Sequence, residues 1–68
     1  MTSSSRLLRF AEVTRRTGLS RPRIYSLIAA GRFPRQVPLG PCSVAFVEEE
    51  IDRWIAQRIA ARDAKPTS

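Results

Sequence analysis

The sequence contains no histidine and one cysteine, Cys42. Zinc sites in proteins are built from three or four cysteine, histidine or carboxylate side chains, so we expect no structural zinc and no other cofactor. Nucleophilic catalysis by a Cys–His or Ser–His pair requires a histidine, and we therefore predict that the chain is not an enzyme. A lone cysteine forms no intrachain disulfide bond, which is typical of proteins in a reducing cytoplasm.

Long apolar runs are also missing. No stretch approaches the roughly 20 apolar residues of a membrane-spanning helix, and the first residues lack the apolar segment of a signal peptide. We therefore expect a cytoplasmic protein with no membrane partner. A chain of 68 residues forms one domain at most and has little room for an enclosed pocket, so we expect no small-molecule substrate. The small and polar ends predict a disordered tail over residues 1–5, one domain over 6–62 and a C-terminal tail over 63–68.

Positive charge is abundant and unevenly distributed. Twelve basic residues, of which eleven are arginine, stand against six acidic residues, for a net charge of +6. Up to Arg35 there are eight arginines and one acidic residue, whereas from Gln36 onward four basic residues face five acidic ones. Arginine matches phosphate oxygens and guanine edges with paired hydrogen bonds. The pattern indicates either a face that meets a polyanion or a solvated basic surface.

Two short helices are predicted in the basic half. The first spans residues 10–17 and is ended by Gly18, and the second spans 21–30, with its apolar stripe at Ile24, Leu27 and Ile28. Two N-caps are compatible with the start of the second helix. Either the Ser20 hydroxyl accepts from the backbone N–H of residue 23, or residue 21 is the cap and a proline begins the helix. Two helices joined by a three-residue turn that contains a glycine, here residues 18–20, form a helix-turn-helix.

A β-hairpin and a third helix follow. Strands are predicted over 36–39 and 44–47, joined by turn residues 40–43, and residues 6–9 form either a short strand or an extended lead-in. The third helix is predicted over 48–62. A hairpin after the second helix makes a wing, so the fold class is mainly α with a small β-hairpin wing, a winged helix-turn-helix.

Helical spacing also predicts contacts of the third helix. Its apolar face is Ile51, Trp54, Ile55 and Ile59, and we expect Trp54 in the core together with Phe10, Phe33 and Phe46. The acidic residues Glu48, Glu49 and Glu50 suit the positive end of the helix dipole, and Glu49 and Arg53 have the spacing of an ion pair.

Several runs of this sequence resemble, in order and spacing, the AlpA-type phage regulators, whose relatives include excisionases and the DNA-binding heads of MerR-type proteins. These runs are GLSRPRIYSLI at 18–28, GRFP at 31–34, VPLG at 37–40, SVAF at 43–46 and EIDRWI at 50–55. The resemblance covers residues 6–62. It implies a winged helix-turn-helix of the MerR and excisionase type.

The resemblance also implies a function. We expect a sequence-specific double-stranded DNA-binding protein that acts as a small transcriptional regulator, with the helix over 21–30 in the major groove and the wing over 36–47 near the backbone or the minor groove. The alternative is an excisionase that binds and bends an attachment site for an integrase. The expected partners are DNA, further copies of the chain and an integrase, in the cytoplasm of a bacterium and associated with its nucleoid. A third interpretation is a small adaptor whose basic face meets an acidic protein.

The candidate DNA contacts follow from the helical wheel and from the resemblance. Opposite the apolar stripe the second helix carries small residues that permit close approach to DNA, with longer side chains on either side. The residues that we expect at the interface are Arg21, Pro22, Arg23, Tyr25, Ser26, Arg32, Arg35 and Ser43. Two positions depart from the family pattern. Cys42 stands where the wing often has an arginine, which weakens the expected wing contact, and Phe46 stands where tryptophan is usual.

Overall fold

The computed structural model of the chain describes residues 6–64. Its elements, in chain order, are β1 (Leu7–Arg9), α1 (Phe10–Thr17), α2 (Arg21–Ala29), β2 (Val37–Gly40), β3 (Ser43–Val47) and α3 (Glu48–Ala64). The mainly helical fold with a hairpin wing is therefore confirmed. The helix α3 includes two residues of the predicted C-terminal tail, whereas the predicted tail over 1–5 and residues 65–68 lie outside the described residues. Between residues 6 and 64, no helix combines the length and the apolar character needed to cross a bilayer.

The three strands form one antiparallel sheet in the order β1-β3-β2. The lead-in at the start of the chain is a strand, in which Leu8 lies opposite Phe46, and the backbone N–H of Glu48 donates to the Arg6 carbonyl at 2.7 Å. The edge strand β2 carries Pro38, which has no N–H to donate and is tolerated at an edge. The hairpin is tighter than predicted, because Gly40 and Ser43 still pair and the turn is residues 41–42. We call residues 37–47 the wing.

The structure decides between the two N-caps of α2. The Ser20 hydroxyl accepts a hydrogen bond from the backbone N–H of Arg23 at 3.3 Å, and Pro22 sits in the first turn, where a missing N–H costs nothing. The preceding helix α1 ends as predicted at Gly18, whose φ of 75° is in the left-handed region and whose N–H donates to the Thr14 carbonyl. The turn of the helix-turn-helix is thus fixed at both ends by local hydrogen bonds.

The core lies where α1, α2 and α3 meet the central strand β3. The rings of Phe10 and Phe33 contact Phe46 edge-on, with centroids 5.3 and 5.9 Å away. The fully or nearly fully buried side chains are Leu8, Phe10, Val13, Ile24, Phe33, Ala45, Phe46 and Ile51. The three phenylalanines predicted as core residues are therefore confirmed.

The structure corrects two expectations about burial along α3. Trp54 is half-buried and packs against the edge of the core, where its ring meets Phe33 at 62° with centroids 4.8 Å apart. Its indole N–H donates to the Arg32 carbonyl at 2.7 Å. Ile59, expected on the apolar face, is 48% exposed because the helix continues beyond the core. Every side chain from residue 56 to 64 is exposed, so the C-terminal part of α3 projects from the domain.

A network of charges joins α1 to α3. Arg16 contacts Glu12 at 2.9 Å, Glu48 at 3.1 Å and Asp52 at 3.3 Å, and Arg15 contacts Glu12 at 2.7 Å. Hydrogen bonds from Arg16, and then from Arg15, lower the pKa of Glu12 below its ordinary value. The hydrogen bond with Glu12 raises the pKa of Arg16. The predicted pair of Glu49 and Arg53 is not among the ion pairs within residues 6–64, and Glu48 has a partner in α1 that helix spacing did not indicate.

This network predicts a pH-dependent loss of stability in Glu12→Gln. The pKa of Glu12 is lower in the folded state than in the unfolded state. The Glu12 carboxylate therefore stabilises the fold fully above the unfolded-state pKa, and this contribution disappears as the pH falls through the folded-state pKa. We expect Glu12→Gln to be less stable than the parent chain at about pH 7, and the difference to close as the pH falls below the ordinary titration range of glutamate. Urea midpoints above and below that range measure it. In the control Glu49→Gln, which removes a carboxylate with no ion pair in the described chain, the loss at neutral pH should be smaller; equal losses would contradict the assignment.

Candidate nucleic-acid interface

Helix α2 presents one buried and one exposed face. Ile24 is fully buried, whereas the predicted interface residues of this helix are all exposed. These residues are Arg21, Pro22, Arg23, Tyr25 and Ser26. Because the Ser26 side chain is small, a partner can approach the backbone of α2 closely at the middle of the exposed face. The structure therefore brings together, on one accessible surface, the five residues that the sequence assigned to this helix.

Phe10 orients two of these side chains. Its ring is 4% exposed and lies under the Arg21 guanidinium, whose Cζ atom is 4.6 Å from the ring centroid. The ring of Tyr25 packs against the same phenylalanine, with centroids 5.3 Å apart, and is 46% exposed. A cation over an aromatic face is stabilised by about 0.5–1 kcal/mol at an exposed site. Arg21 and Tyr25 are thus held on the side of α2 that faces the wing.

Arg23 lies on the other side of α2 and differs from Arg21 in its surroundings. Its backbone N–H is used by the Ser20 cap, but its exposed side chain makes no ion pair or hydrogen bond within residues 6–64. The guanidinium is therefore available to an external partner, without a contact that must first be broken.

A cleft of about 470 Å³ separates the start of α2 from the tip of the wing, and we call it the wing cleft. Arg21 and Tyr25 line it from α2, Cys42 and Ser43 line it from the wing, and Arg9 lines it from the end of β1. The predicted wing residue Ser43, which is half-buried, is thereby brought next to the helix residues. Cys42 is a free, exposed thiol.

Sequence reasoning missed Arg9. The signal was present, because a strand alternates its side chains, and Leu8 points into the core while Arg9 is exposed. That alternation became useful only once residues 7–9 were known to form a strand.

Arg32 and Arg35 lie elsewhere. They line a second cleft, of about 700 Å³, between the loop after α2, the wing and α3, and we call it the α3 cleft. Arg53 and Arg58 of α3 line the same cleft, and sequence reasoning missed both because they belong to the half of the chain with an acidic excess. The hydrogen bond from the Trp54 indole fixes the carbonyl of Arg32 and hence the position of this loop. The structure therefore does not bring Arg32 and Arg35 together with the start of α2.

Most arginines are free to meet a partner. Three of the eleven arginines, Arg15, Arg16 and Arg62, form ion pairs. The remaining eight have no carboxylate partner anywhere in the described part of the chain; they are Arg6, Arg9, Arg21, Arg23, Arg32, Arg35, Arg53 and Arg58. All eight are exposed. Such a surface attracts a polyanion and gains charge pairs without losing internal ones.

Known proteins resemble this chain over most of its length. The sequence model of the family described as "Prophage CP4-57 regulatory protein (AlpA)" matches residues 6–59. Uncharacterized protein ORF88 of Enterobacteria phage P4 is 48% identical over 60 residues, which cover 88% of this chain and 68% of that protein. The DNA-binding transcriptional activator AlpA of Escherichia coli (strain K12) is 37% identical over 62 residues, which cover 82% of this chain and 89% of that protein.

Proposed function

The chain belongs to the AlpA family of phage regulatory proteins, and on that premise we propose that it is a small transcriptional regulator that binds double-stranded DNA sequence-specifically. The observation that carries the proposal is the exposed face of α2. There Arg21 and Arg23 have no ion pair within the described residues, and the face stands beside a wing. A relative at 37% identity is a DNA-binding transcriptional activator, which supports the same function.

In this proposal α2 enters the major groove with its N-terminal end leading. Helices of the helix-turn-helix class read base edges with residues near their N-terminal end. Here the Arg23 guanidinium contacts the bases, and Arg21 and Pro22 lie at the helix start beside the phosphates. Ser26 permits close approach and donates a hydroxyl hydrogen bond to a base or a phosphate. The wing lies along the backbone or in the adjacent minor groove, where Ser43 contacts the DNA and Cys42 supplies no charge. Arg32 and Arg35 contact phosphates beyond the other end of α2.

More than one copy binds each regulatory site. One recognition helix contacts only a few base pairs, which is too little for useful discrimination in a genome. We therefore propose that two or more copies of the chain occupy a site with a fixed spacing.

Selection of bound duplexes from a random DNA pool at about 0.15 M salt tests the proposal. At that salt, cations compete with the protein for the phosphates, so purely electrostatic binding is weak. We expect a recovered motif that is repeated at a fixed interval. Failure to retain any DNA would overturn the proposed function. Binding without a motif would overturn its sequence-specific part and favour an architectural role, which a gel assay of DNA bending would then test.

The single cysteine offers a direct test of the wing position. An iron chelate attached to Cys42 generates hydroxyl radicals at the wing tip and cleaves the nearest DNA sugars. We expect cleavage beside the motif, in the offset pattern between the two strands that marks a minor groove. In the control, Cys42→Ser combined with Ala60→Cys moves the chelate to the exposed end of α3, and this cleavage should disappear. Identical cleavage from both positions would contradict the wing assignment.

A further inference from the structure

We propose that the wing cleft is a binding site for the DNA phosphodiester backbone, in which Arg9 and Arg21 hold the strand that passes between α2 and the wing. The inference rests on the proposed function and adds to it a site and a residue, Arg9. It concerns a surface that neither α2 nor the wing forms alone.

The shape of the double helix requires such a site. The major and minor grooves of B-DNA are separated by one sugar-phosphate strand, so a protein with a helix in one groove and a wing in the next must accommodate that strand between them. The wing cleft is the space between the start of α2 and the wing tip, and its volume of about 470 Å³ is available to a backbone segment. The strand therefore runs against whatever lines this cleft.

The lining has the chemistry that a phosphodiester needs. Its charged residues are Arg9 and Arg21, and no carboxylate lines it. Neither arginine forms an ion pair within residues 6–64, and both are exposed. Tyr25 and Ser43, on opposite sides of the cleft, add hydroxyl groups that donate hydrogen bonds to phosphate oxygens. Phe10 holds the Arg21 guanidinium in place before DNA arrives, which lowers the entropy lost on binding.

Arg9 is fixed at its backbone and free at its side chain. Arg9 lies opposite Ala45 on the neighbouring strand of the sheet. It is also the N-cap residue of α1, but its side chain makes no capping hydrogen bond. The guanidinium therefore has no described role in folding, and its substitution should leave the fold intact. This separation allows its contribution to binding to be measured without a stability effect.

Salt dependence of binding tests the site. We compare Arg9→Gln and Arg9→Lys with the control Arg62→Gln, which removes the same charge from a 74% exposed side chain outside both clefts. The probes are the duplex selected from the random pool and a scrambled duplex of the same length. The slope of log K against log salt is negative, and losing one phosphate contact makes it shallower by about 0.9. We expect that change for Arg9→Gln on both duplexes. Arg9→Lys should retain the parent slope, and Arg62→Gln should match the parent protein.

Ethylation interference locates the phosphate. In the parent complex, ethylation of the phosphate between the Cys42 cleavage site and the position read by Arg23 should block binding. With Arg9→Gln, ethylation there should no longer add to the loss, while other phosphates remain sensitive. A parent protein that binds its motif, but whose slope and ethylation profile are unchanged in Arg9→Gln, would overturn the cleft site alone. A parent protein that retains no DNA would overturn the proposed function itself.

Discussion

Phe46→Ala is expected to remove most of the protein's free energy of unfolding, so that the folded state is barely favoured at ordinary temperature. Truncation of a buried phenylalanine to alanine costs about 3–5 kcal/mol, and domains of this size have a total stability near the lower end of about 5–15 kcal/mol. Phe46 is fully buried in the central strand β3 and contacts the rings of Phe10 and Phe33. Its loss removes the side chain on which α1, the loop after α2 and the sheet all pack.

Urea unfolding followed by circular dichroism measures this loss. Leu39→Ala is the matched control, because Leu39 is 48% exposed on the edge strand and its truncation should change stability by within about 0.5 kcal/mol. If the unfolding midpoint of Phe46→Ala were as close to that of the parent chain as the Leu39→Ala midpoint, Phe46 would not be the centre of the core.

Local sequence signals predicted the parts of the fold that local interactions determine. Gly18 indicated the end of α1 because few residues other than glycine adopt the left-handed conformation found there. Ser20 was one of two candidate caps, and Pro22 prevented a choice because both alternatives place it in the first turn. The deciding hydrogen bond joins residues only three positions apart, so it is local, but residue types and spacing alone are compatible with both caps.

Side-chain roles that depend on distant elements were predicted less well. Helical spacing assigned Trp54 to the apolar face, but its indole N–H needs an acceptor, and the Arg32 carbonyl lies 22 residues away in the chain. Arg16 donates a hydrogen bond to Asp52, which lies 36 residues away in the chain. Ile59 satisfies the helical pattern, yet the core ends before it, and a periodic pattern does not encode where the neighbouring elements stop.

The residues of the candidate interface also fall into those predicted from local sequence and those whose position depends on distant elements. Arg21, Arg23 and Ser26 were found because they share one short helix, whose exposed face follows from its apolar stripe. Arg9 was missed because it enters the wing cleft through the pairing of β1 with β3, between residues almost forty positions apart. Arg32 and Arg35 were expected at the same interface as the start of α2, whereas in the structure they line the α3 cleft.

Arg23→Ala is expected to weaken binding to the selected DNA motif by about 1–3 kcal/mol, or roughly five- to 150-fold, and to relax the preference at one base position. The physical reason is that Arg23 is an exposed, unpaired guanidinium in the described chain, at the end of α2 that leads into the groove. The Ser20 cap uses the backbone of Arg23, and alanine is a good helix former, so α2 should remain intact. Thermal unfolding of the variant verifies this before binding is compared.

The contrast with Arg35→Ala separates base recognition from phosphate contact. Arg35→Ala should weaken the selected and scrambled duplexes alike and lower the salt slope by about one, because a phosphate contact carries no sequence information. Arg23→Ala should instead weaken the selected duplex far more than the scrambled one, and a repeated pool selection should return the motif with one degenerate position. If Arg23→Ala weakened both duplexes equally and returned the parent motif, its guanidinium would contact the backbone. Base recognition would then have to come from the other exposed side chains of α2, with Ser26 the first to test.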